Sequence, residues 1–420
     1  MSKYLPKLTK EFKFWSYTIS SVFVAYILLI FMIDLADSFM SFVVPIYLED
    51  NLKNSFWMGL VMSFSSLIGI ITDIVLGEWF KEKKYNFFLI WAFGTALSFP
   101  FVLLSLPPII PVFLLGMFIW GVYYELISFA NYYFIRDYLT NDEHLSAWSI
   151  ISIFRCSTYL IGPIIAEFLL EKGVAVPIFA SLILVFVGSL LLILFMKTYH
   201  HKRNIKADTS KHKKSLLHEF KIWGTLMKVI WPLWLFSLVI SLVDSAFWTV
   251  GIVLSEKMSD QGILGGFLLT AYMLPSLFIG IFSSKAARPF GKKKAALFSG
   301  LLNGLFLFIA CFIADVNWFV VLVFIASCLG SLAGPEISAT YEDYIVRLGN
   351  FGGDFIGLNQ SSNSLAYVLG PIIAGFIAQL FGYRQTFAVI GTLLFLISLL
   401  AIIFTPRKIH MPQQELNQIK

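Results

Sequence analysis

Residues 35–38 read LADS, and 207 positions later residues 242–245 read LVDS, each time inside a long apolar segment. An aspartate at the centre of a membrane-spanning helix costs about 2.5–3.5 kcal/mol on insertion scales. Because Asp37 and Asp244 carry this cost at matching points of two halves, they predict a duplicated unit. In membrane proteins built from such repeats, the working site lies where the repeats face each other.

The composition is that of an integral membrane protein. Hydrophobic residues make up 58% of the chain and charged residues 13%, with a mean hydropathy of +0.81. Apolar runs of about 18 residues or more recur along the chain, and each can cross a bilayer as a helix. We predict an all-α integral membrane fold with twelve transmembrane helices in two pseudo-symmetric six-helix bundles. The predicted spans are 18–47, 56–79, 86–106, 109–135, 145–169, 174–196, 228–255, 261–284, 294–314, 317–344, 352–380 and 384–405.

Basic residues predict the orientation in the membrane. With both termini in the cytoplasm, the inner loops and tails hold 25 of the 31 Lys and Arg residues. The outer loops then hold only Lys53, Lys172, Lys257 and Arg384. Such an excess is typical of cytoplasmic loops. The net charge of +6 therefore indicates contact with anionic lipids of the cell membrane, and it gives no reason to expect a nucleic-acid partner.

Further repeats support the duplication. GPIIA at 162–166 recurs at 370–374, and Glu125, Tyr133 and Arg136 match Glu336, Tyr344 and Arg347. Between the two halves, a basic stretch forms the longest polar segment of the chain. We predict an N-terminal bundle over 1–197, a cytoplasmic basic linker over 198–226 and a C-terminal bundle over 227–420.

With twelve spans, a basic central loop and a six-plus-six repeat, the whole chain resembles the major facilitator superfamily. The resemblance implies a monomeric transporter whose helices 1, 4, 7 and 10 line a central cavity. The basic turns at 77–86 and 284–294 resemble the loop signature of the family, although basic residues replace its aspartate. The gating and loop residues expected from this signature are Asp73, Gly77, Lys81, Arg136, Arg288 and Gly291.

The GPIIA motif has two interpretations. Gly162-Pro163 in helix 5 resembles a proline-glycine motif of the antiporters in the family. Because the motif recurs in helix 11, a role in helix packing is also open, and we favour it.

Ionisable residues within the predicted spans are candidates for proton coupling. A carboxyl group in a dry environment can bind and release a proton near neutral pH, although it can also serve only to bond helices together. Arg155 needs an anionic partner inside the membrane, and Asp34, Asp37 and Glu125 are the candidates. It could be a counter-ion to one of these carboxylates, a site for an anionic substrate or part of a purely structural pair. The predicted set is Asp34, Asp37, Glu125, Arg155, Asp244 and Glu336.

Aromatic and amide side chains near these acids are candidates for substrate binding. Aromatic rings beside an acid suit a cationic or amphipathic ligand, and amides suit a polyhydroxylated one. Ordinary packing and hydrogen bonding between helices are the alternatives. The predicted set is Trp120, Tyr123, Tyr124, Asn131, Trp248, Asn359, Gln360 and Asn363.

These patterns favour a proton-coupled secondary transporter that moves a small molecule by alternating access. Export of hydrophobic or cationic compounds is favoured over import of a sugar or other metabolite, and a channel or a membrane sensor is a further alternative. The chain has no phosphate-binding loop of the G-x-x-x-x-G-K-[ST] form. Its six histidines lie in inner loops or tails without metal spacing, so we expect neither a metal or cofactor nor enzymatic activity.

Overall fold

The computed structural model describes most of the chain. The described residues are 11–14, 17–80, 82–139, 143–199, 216–279, 291–406 and 409–419. A short antiparallel hairpin comes first, with strand β1 over Glu11–Phe14 and strand β2 over Tyr17–Ser20. The regular elements that follow in the described part are helices.

Six helices follow the hairpin, and each overlaps one predicted span of the first half. They are α1 (Ser21–Leu52), α2 (Ser55–Trp79), α3 (Tyr85–Ser105), α4 (Ile110–Tyr138), α5 (His144–Leu170) and α6 (Ala175–Thr198). Helix α1 is the most enclosed of them, since 78% of the residues in its apolar 18-residue stretch are buried. Polar residues on α1 therefore need partners from neighbouring helices.

The second half is also helical. Its elements are α7 (Leu216–Ala246), a π-helical turn (Phe247–Gly251), α8 (Ile252–Met258), α9 (Leu268–Phe278), α10 (Lys292–Ala310), α11 (Val316–Leu348), α12 (Gly352–Phe381), α13 (Tyr383–Phe404) and α14 (Gln413–Ile419). In the described part, eleven helical segments are long and apolar enough to cross a membrane, and the run from α7 to α8 counts as one. The remaining predicted span, 261–284, appears as the shorter apolar helix Gly265–Phe278, and residues 280–290 lie outside the described part.

Contacts divide the chain into two compact units. The first comprises 1–44 and 67–207, and the second comprises 45–66 and 208–420. The end of α1 and the first half of α2 thus belong to the second unit. Most of the predicted linker, 200–215, lies outside the described residues.

Polar bonds tie segment 45–66 into the second unit. The Ser55 amide donates to Oε1 of Gln379 at 3.2 Å, and the Ser55 hydroxyl donates to the hydroxyl of Tyr383 at 2.9 Å. The Tyr383 hydroxyl in turn donates to Oε1 of Glu49. These bonds join the α1–α2 connection to the C-terminal end of α12 and to the first residue of α13, which follows α12 after a short turn.

In the first unit, α5 approaches α1 closely at the GPIIA motif. A Cβ added at Gly162 would lie 2.6 Å from Cβ of Ser38 and would also meet its hydroxyl. Only glycine fits there, because a contact this short lies well inside van der Waals distance. Small residues at such crossings let membrane helices associate through backbone packing.

The second unit repeats this contact. A Cβ added at Gly370 on α12 would lie 2.8 Å from Cβ of Ser245 on α7. Ser245 and Gly370 are the repeat counterparts of Ser38 and Gly162. Because both copies of the motif make the same crossing, the geometry supports helix packing as its role.

We expect Gly162→Ala to destabilise the protein by about 1–3 kcal/mol, the usual effect of overpacking. Gly370→Ala should do the same, whereas Gly94→Ala is the matched control because a Cβ at Gly94 meets nothing within 4 Å. Thermal unfolding in detergent measures the effect. Equal melting temperatures for all three variants would contradict the packing role.

Candidate functional site

Asp37 is the centre of a hydrogen-bonded cluster in the first unit. It lies midway along α1 and is only 6% exposed. The indole nitrogen of Trp120 donates to its Oδ1 at 2.7 Å, and the Tyr124 hydroxyl donates to its Oδ2 at 3.1 Å. The Tyr159 hydroxyl also donates to Oδ2. Three donors from α4 and α5 therefore converge on one carboxylate of α1.

Asp34 lies one turn before Asp37 and pairs with Arg155 of α5. Nε of Arg155 is 3.3 Å from Oδ2 of Asp34, and the two side chains are 43% and 3% exposed. Of the three acids that the sequence offered as partners for this arginine, the structure selects Asp34. The stripe Arg155, Tyr159 and Gly162 on α5 thus faces Asp34, Asp37 and Ser38 on α1.

A small cavity adjoins Asp37. It is lined by Asp37, Trp120 and Tyr123 among others, and it has room for about one water molecule. Phe99 also lines it and stacks on Trp120 with ring centroids 5.0 Å apart. The predicted aromatic residues Trp120, Tyr123 and Tyr124 therefore do surround the acid, and two of the three line the cavity.

Glu125 does not join this cluster. It is half-buried and faces α2, where its Oε1 lies 3.3 Å from the position of a Cβ on Gly69. Asp73, one turn further along α2, is exposed. Among the described residues, no hydrogen bond links Glu125 to Asp37 or to its three donors.

The loop signature is only partly described. Gly77 is exposed near the end of α2, and Gly291 precedes α10 with φ +81°, a left-handed conformation that favours glycine. Arg136 pairs with its neighbour Asp137, with Nε 2.8 Å from Oδ1. Lys81 and Arg288 lie outside the described residues.

Asn131 lies apart from Asp37, in the packed core of the first unit. It is 1% exposed, and its Oδ1 accepts a hydrogen bond from the Tyr26 hydroxyl at 2.7 Å. Tyr26 precedes Asp37 by eleven residues, about 16 Å along a helix with a rise of ~1.5 Å per residue. The geometry favours a bond between α1 and α4 over contact with a ligand at Asp37.

Asp244 has its own cluster in the second unit. The Tyr272 hydroxyl of α9 donates to its Oδ1 at 2.6 Å, and the Tyr367 hydroxyl of α12 donates to its Oδ2. Tyr367 is the repeat counterpart of Tyr159, at the same offset that relates the two GPIIA motifs. The duplicated element is thus an aspartate–tyrosine pair rather than the aspartate alone.

The candidate list from the sequence contained only one of the four tyrosines that bond to these aspartates, Tyr124, and it missed Tyr159, Tyr272 and Tyr367. The signal for Tyr159 and Tyr367 was present, because both precede the GPIIA motif by three residues. No internal repeat marks Tyr272, whose role appears only once α9 packs against α7.

Other predicted residues of the second unit are not joined to Asp244 by a hydrogen bond within the described part. Glu336 on α11 is 3% exposed, and neither of its carboxylate oxygens has a partner among the described residues. Asn359 is half-buried, and Gln360 and Asn363 are exposed on α12. Trp248 is half-buried in the π-helical turn that follows Asp244, an irregularity frequent at functional sites.

Comparison with known proteins identifies relatives. The sequence model described as Major Facilitator Superfamily matches residues 233–419. The chain is 29% identical over 120 residues to the multi-drug resistance efflux pump PmrA of Streptococcus pneumoniae, a match that spans 28% of this chain and 29% of the pump. It is 22% identical to the multidrug resistance protein MdtG of Citrobacter koseri, over 84% of this chain and 87% of that protein.

Solved structures share the fold. The crystal structure of the nucleoside transporter NupG superposes with a TM-score of 0.74 at 11% identity, covering 92% of this chain and 100% of that one. A bacterial homolog to the human lysosomal transporter Spinster superposes with a TM-score of 0.71 at 15% identity, covering 91% of this chain and 96% of that one. At these identities the likeness concerns the fold alone.

We expect Tyr159 and Asp37 to be energetically coupled through their hydrogen bond. In a double-mutant cycle of Tyr159→Phe and Asp37→Asn, the interaction energy should be about 1.5–3 kcal/mol, as for hydrogen bonds to a charged group. The pair Tyr367→Phe and Asp244→Asn should behave alike. Thermal unfolding in detergent measures both cycles, with Tyr159→Phe and Asp260→Asn as a control pair that should be additive. Additive effects of the two substitutions in both test cycles would show that these hydrogen bonds do not contribute to the stability of the protein.

Proposed function

We propose that this chain is a member of the major facilitator superfamily, whose sequence model matches residues 233–419, and that it is a proton-coupled secondary transporter that exports small hydrophobic or amphipathic compounds. Members of the family are transporters, which disfavours a membrane enzyme. The proposal rests above all on the cluster around Asp37.

Protonation of Asp37 would change the bonds that hold three helices together. As a carboxylate, Asp37 accepts bonds from Trp120, Tyr124 and Tyr159, and bonds to an ionised acceptor are about twice as strong as neutral ones. A proton on the carboxyl group weakens this set and so loosens α1 from α4 and α5. Proton binding then shifts the balance between two arrangements by its difference in affinity for them.

The second unit contains a simpler version of this hydrogen-bonded cluster. Asp244 is held by Tyr272 and Tyr367, so a proton there would loosen α7 from α9 and α12. Each unit thus contains one carboxylate whose charge determines how firmly its central helix is bound. We propose Asp37 as the principal coupling group, with Asp244 as its weaker counterpart and Glu125 and Glu336 as further proton-binding candidates.

The direction of transport and the substrate class rest on different observations. Two relatives are described as multidrug resistance proteins, which favours export. The partly exposed ring of Tyr124 beside Asp37 suits an apolar ligand. Import of a sugar has less support, because the amides of Gln360 and Asn363 are exposed and are not bonded to either aspartate among the described residues.

The positive-inside pattern supports the proposed location and orientation. We propose a multi-pass protein of the cell membrane that functions as a monomer, with both termini in the cytoplasm. Its partners are protons, membrane lipids and the transported compound.

The test is transport in proteoliposomes under an imposed pH gradient. We expect the wild-type protein to move a hydrophobic dye against its gradient when the compartment that the dye enters is acidic. Asp37→Asn should reduce the rate of this transport by about tenfold or more. Asp244→Asn should reduce it less, and Asp260→Asn, which makes the same change in the loop after α8, should leave it unchanged. Dye exchange without a pH gradient should persist in Asp37→Asn, because only coupling is lost.

Two results would contradict the proposal. Gradient-driven transport that is the same in wild type, Asp37→Asn and Asp244→Asn would exclude both aspartates as coupling groups. Dye movement that ignores the pH gradient in wild type would exclude proton coupling altogether.

A further inference from the structure

We propose that Arg155 binds an anionic group of the transported compound, a carboxylate or a phosphate, and so defines the substrate as an amphipathic anion. This inference rests on the proposed transport function and specifies its substrate class. It starts from the observation that the aspartates near the arginine are already occupied. Asp34 is paired with Arg155, and Asp37 accepts bonds from three donors.

Most of the guanidinium group remains available. A guanidinium has five N–H donors in a planar fork, yet Arg155 uses only Nε, at the long distance of 3.3 Å from Asp34. Its two terminal nitrogens have no hydrogen-bond partner among the described residues. The terminal pair is the part of the fork that binds carboxylate or phosphate through two parallel bonds.

Arg155 lies on the face of α5 that packs against α1. Its neighbours on the same stripe, Tyr159 and Gly162, contact Asp37 and Ser38 of α1, and residues spaced by three or four share a helix face. The Arg155 side chain is nevertheless 43% exposed. A charged group at this depth faces water or a polar ligand, because contact with hydrocarbon is costly.

The surroundings suit the apolar part of such a ligand. Tyr124, which donates to Asp37, is 37% exposed, and Tyr159 lies one turn beyond Arg155 and is half-buried. An aromatic or aliphatic body on these rings would place an acidic group near the guanidinium. A cationic compound lacks this match, because both nearby carboxylates already have donors.

The first experiment compares three probes with one aromatic body. Full-length protein in lipid nanodiscs is titrated with 2-naphthoate, 2-naphthyl phosphate and the neutral 2-naphthamide, and calorimetry measures the dissociation constants. We expect at least one anion to bind about tenfold more tightly than the amide, since bonds to a charged group are the stronger ones. The two anions together show whether the site prefers carboxylate or phosphate. Equal affinity for all three probes would overturn the proposal.

Variants then assign the preference to Arg155. Removing the arginine alone would leave Asp34 buried without its partner, so the double variant Asp34→Asn/Arg155→Gln keeps the pair neutral and hydrogen-bonded. We expect this variant to bind the anions and the amide alike. Asp34→Asn alone keeps the guanidinium and should keep the preference for the anion. A preference that persists in the double variant would overturn the assignment.

The outcome is separable from that of the transport test. These titrations use no pH gradient, so anion preference does not depend on proton coupling. A preference that requires Arg155, together with pH-independent transport, would refute the coupling proposal alone. Equal binding of all probes, together with intact pH-driven transport of a neutral dye, would refute the anion site alone.

Discussion

The cost of placing a charged group in hydrocarbon governs the arrangement of this protein. Asp37 lies midway along the most enclosed helix of the first unit, so its carboxylate is stable there only with partners close at hand. Its three donors come from α4 and α5 and bond those helices to α1. Arg155 and Asp34 satisfy each other for the same reason.

The two units share a duplicated arrangement of contacts, and they differ in the residues around the aspartate. Both units keep an aspartate bonded to a tyrosine, next to a serine that packs on the glycine of a GPIIA motif. Among the described residues, only the cluster of the first unit includes an arginine, which pairs with Asp34. The second unit has Asn363 at the corresponding position. The anion proposal relies on this asymmetry.

The sequence was sufficient for the fold because spans, turns and repeats are local features. Runs of apolar residues long enough to cross a bilayer mark helices whatever they pack against. The contacts of candidate site residues were harder to predict, because hydrogen bonds depend on which face of each helix meets its neighbour. Trp120 and Tyr124 were expected beside an acid and are bonded to Asp37. Asn131 shares α4 with them but lies in a separate part of the core.

By itself, the sequence determined the membrane class, the helical spans and the internal repeat, since each follows from composition or from a spacing within the chain. Only the tertiary structure decided which acids have partners. It paired Arg155 with Asp34, turned Glu125 towards α2 and brought Tyr272 to Asp244. These choices depend on the crossing of helices far apart in sequence, and a single sequence does not encode that geometry in any local pattern.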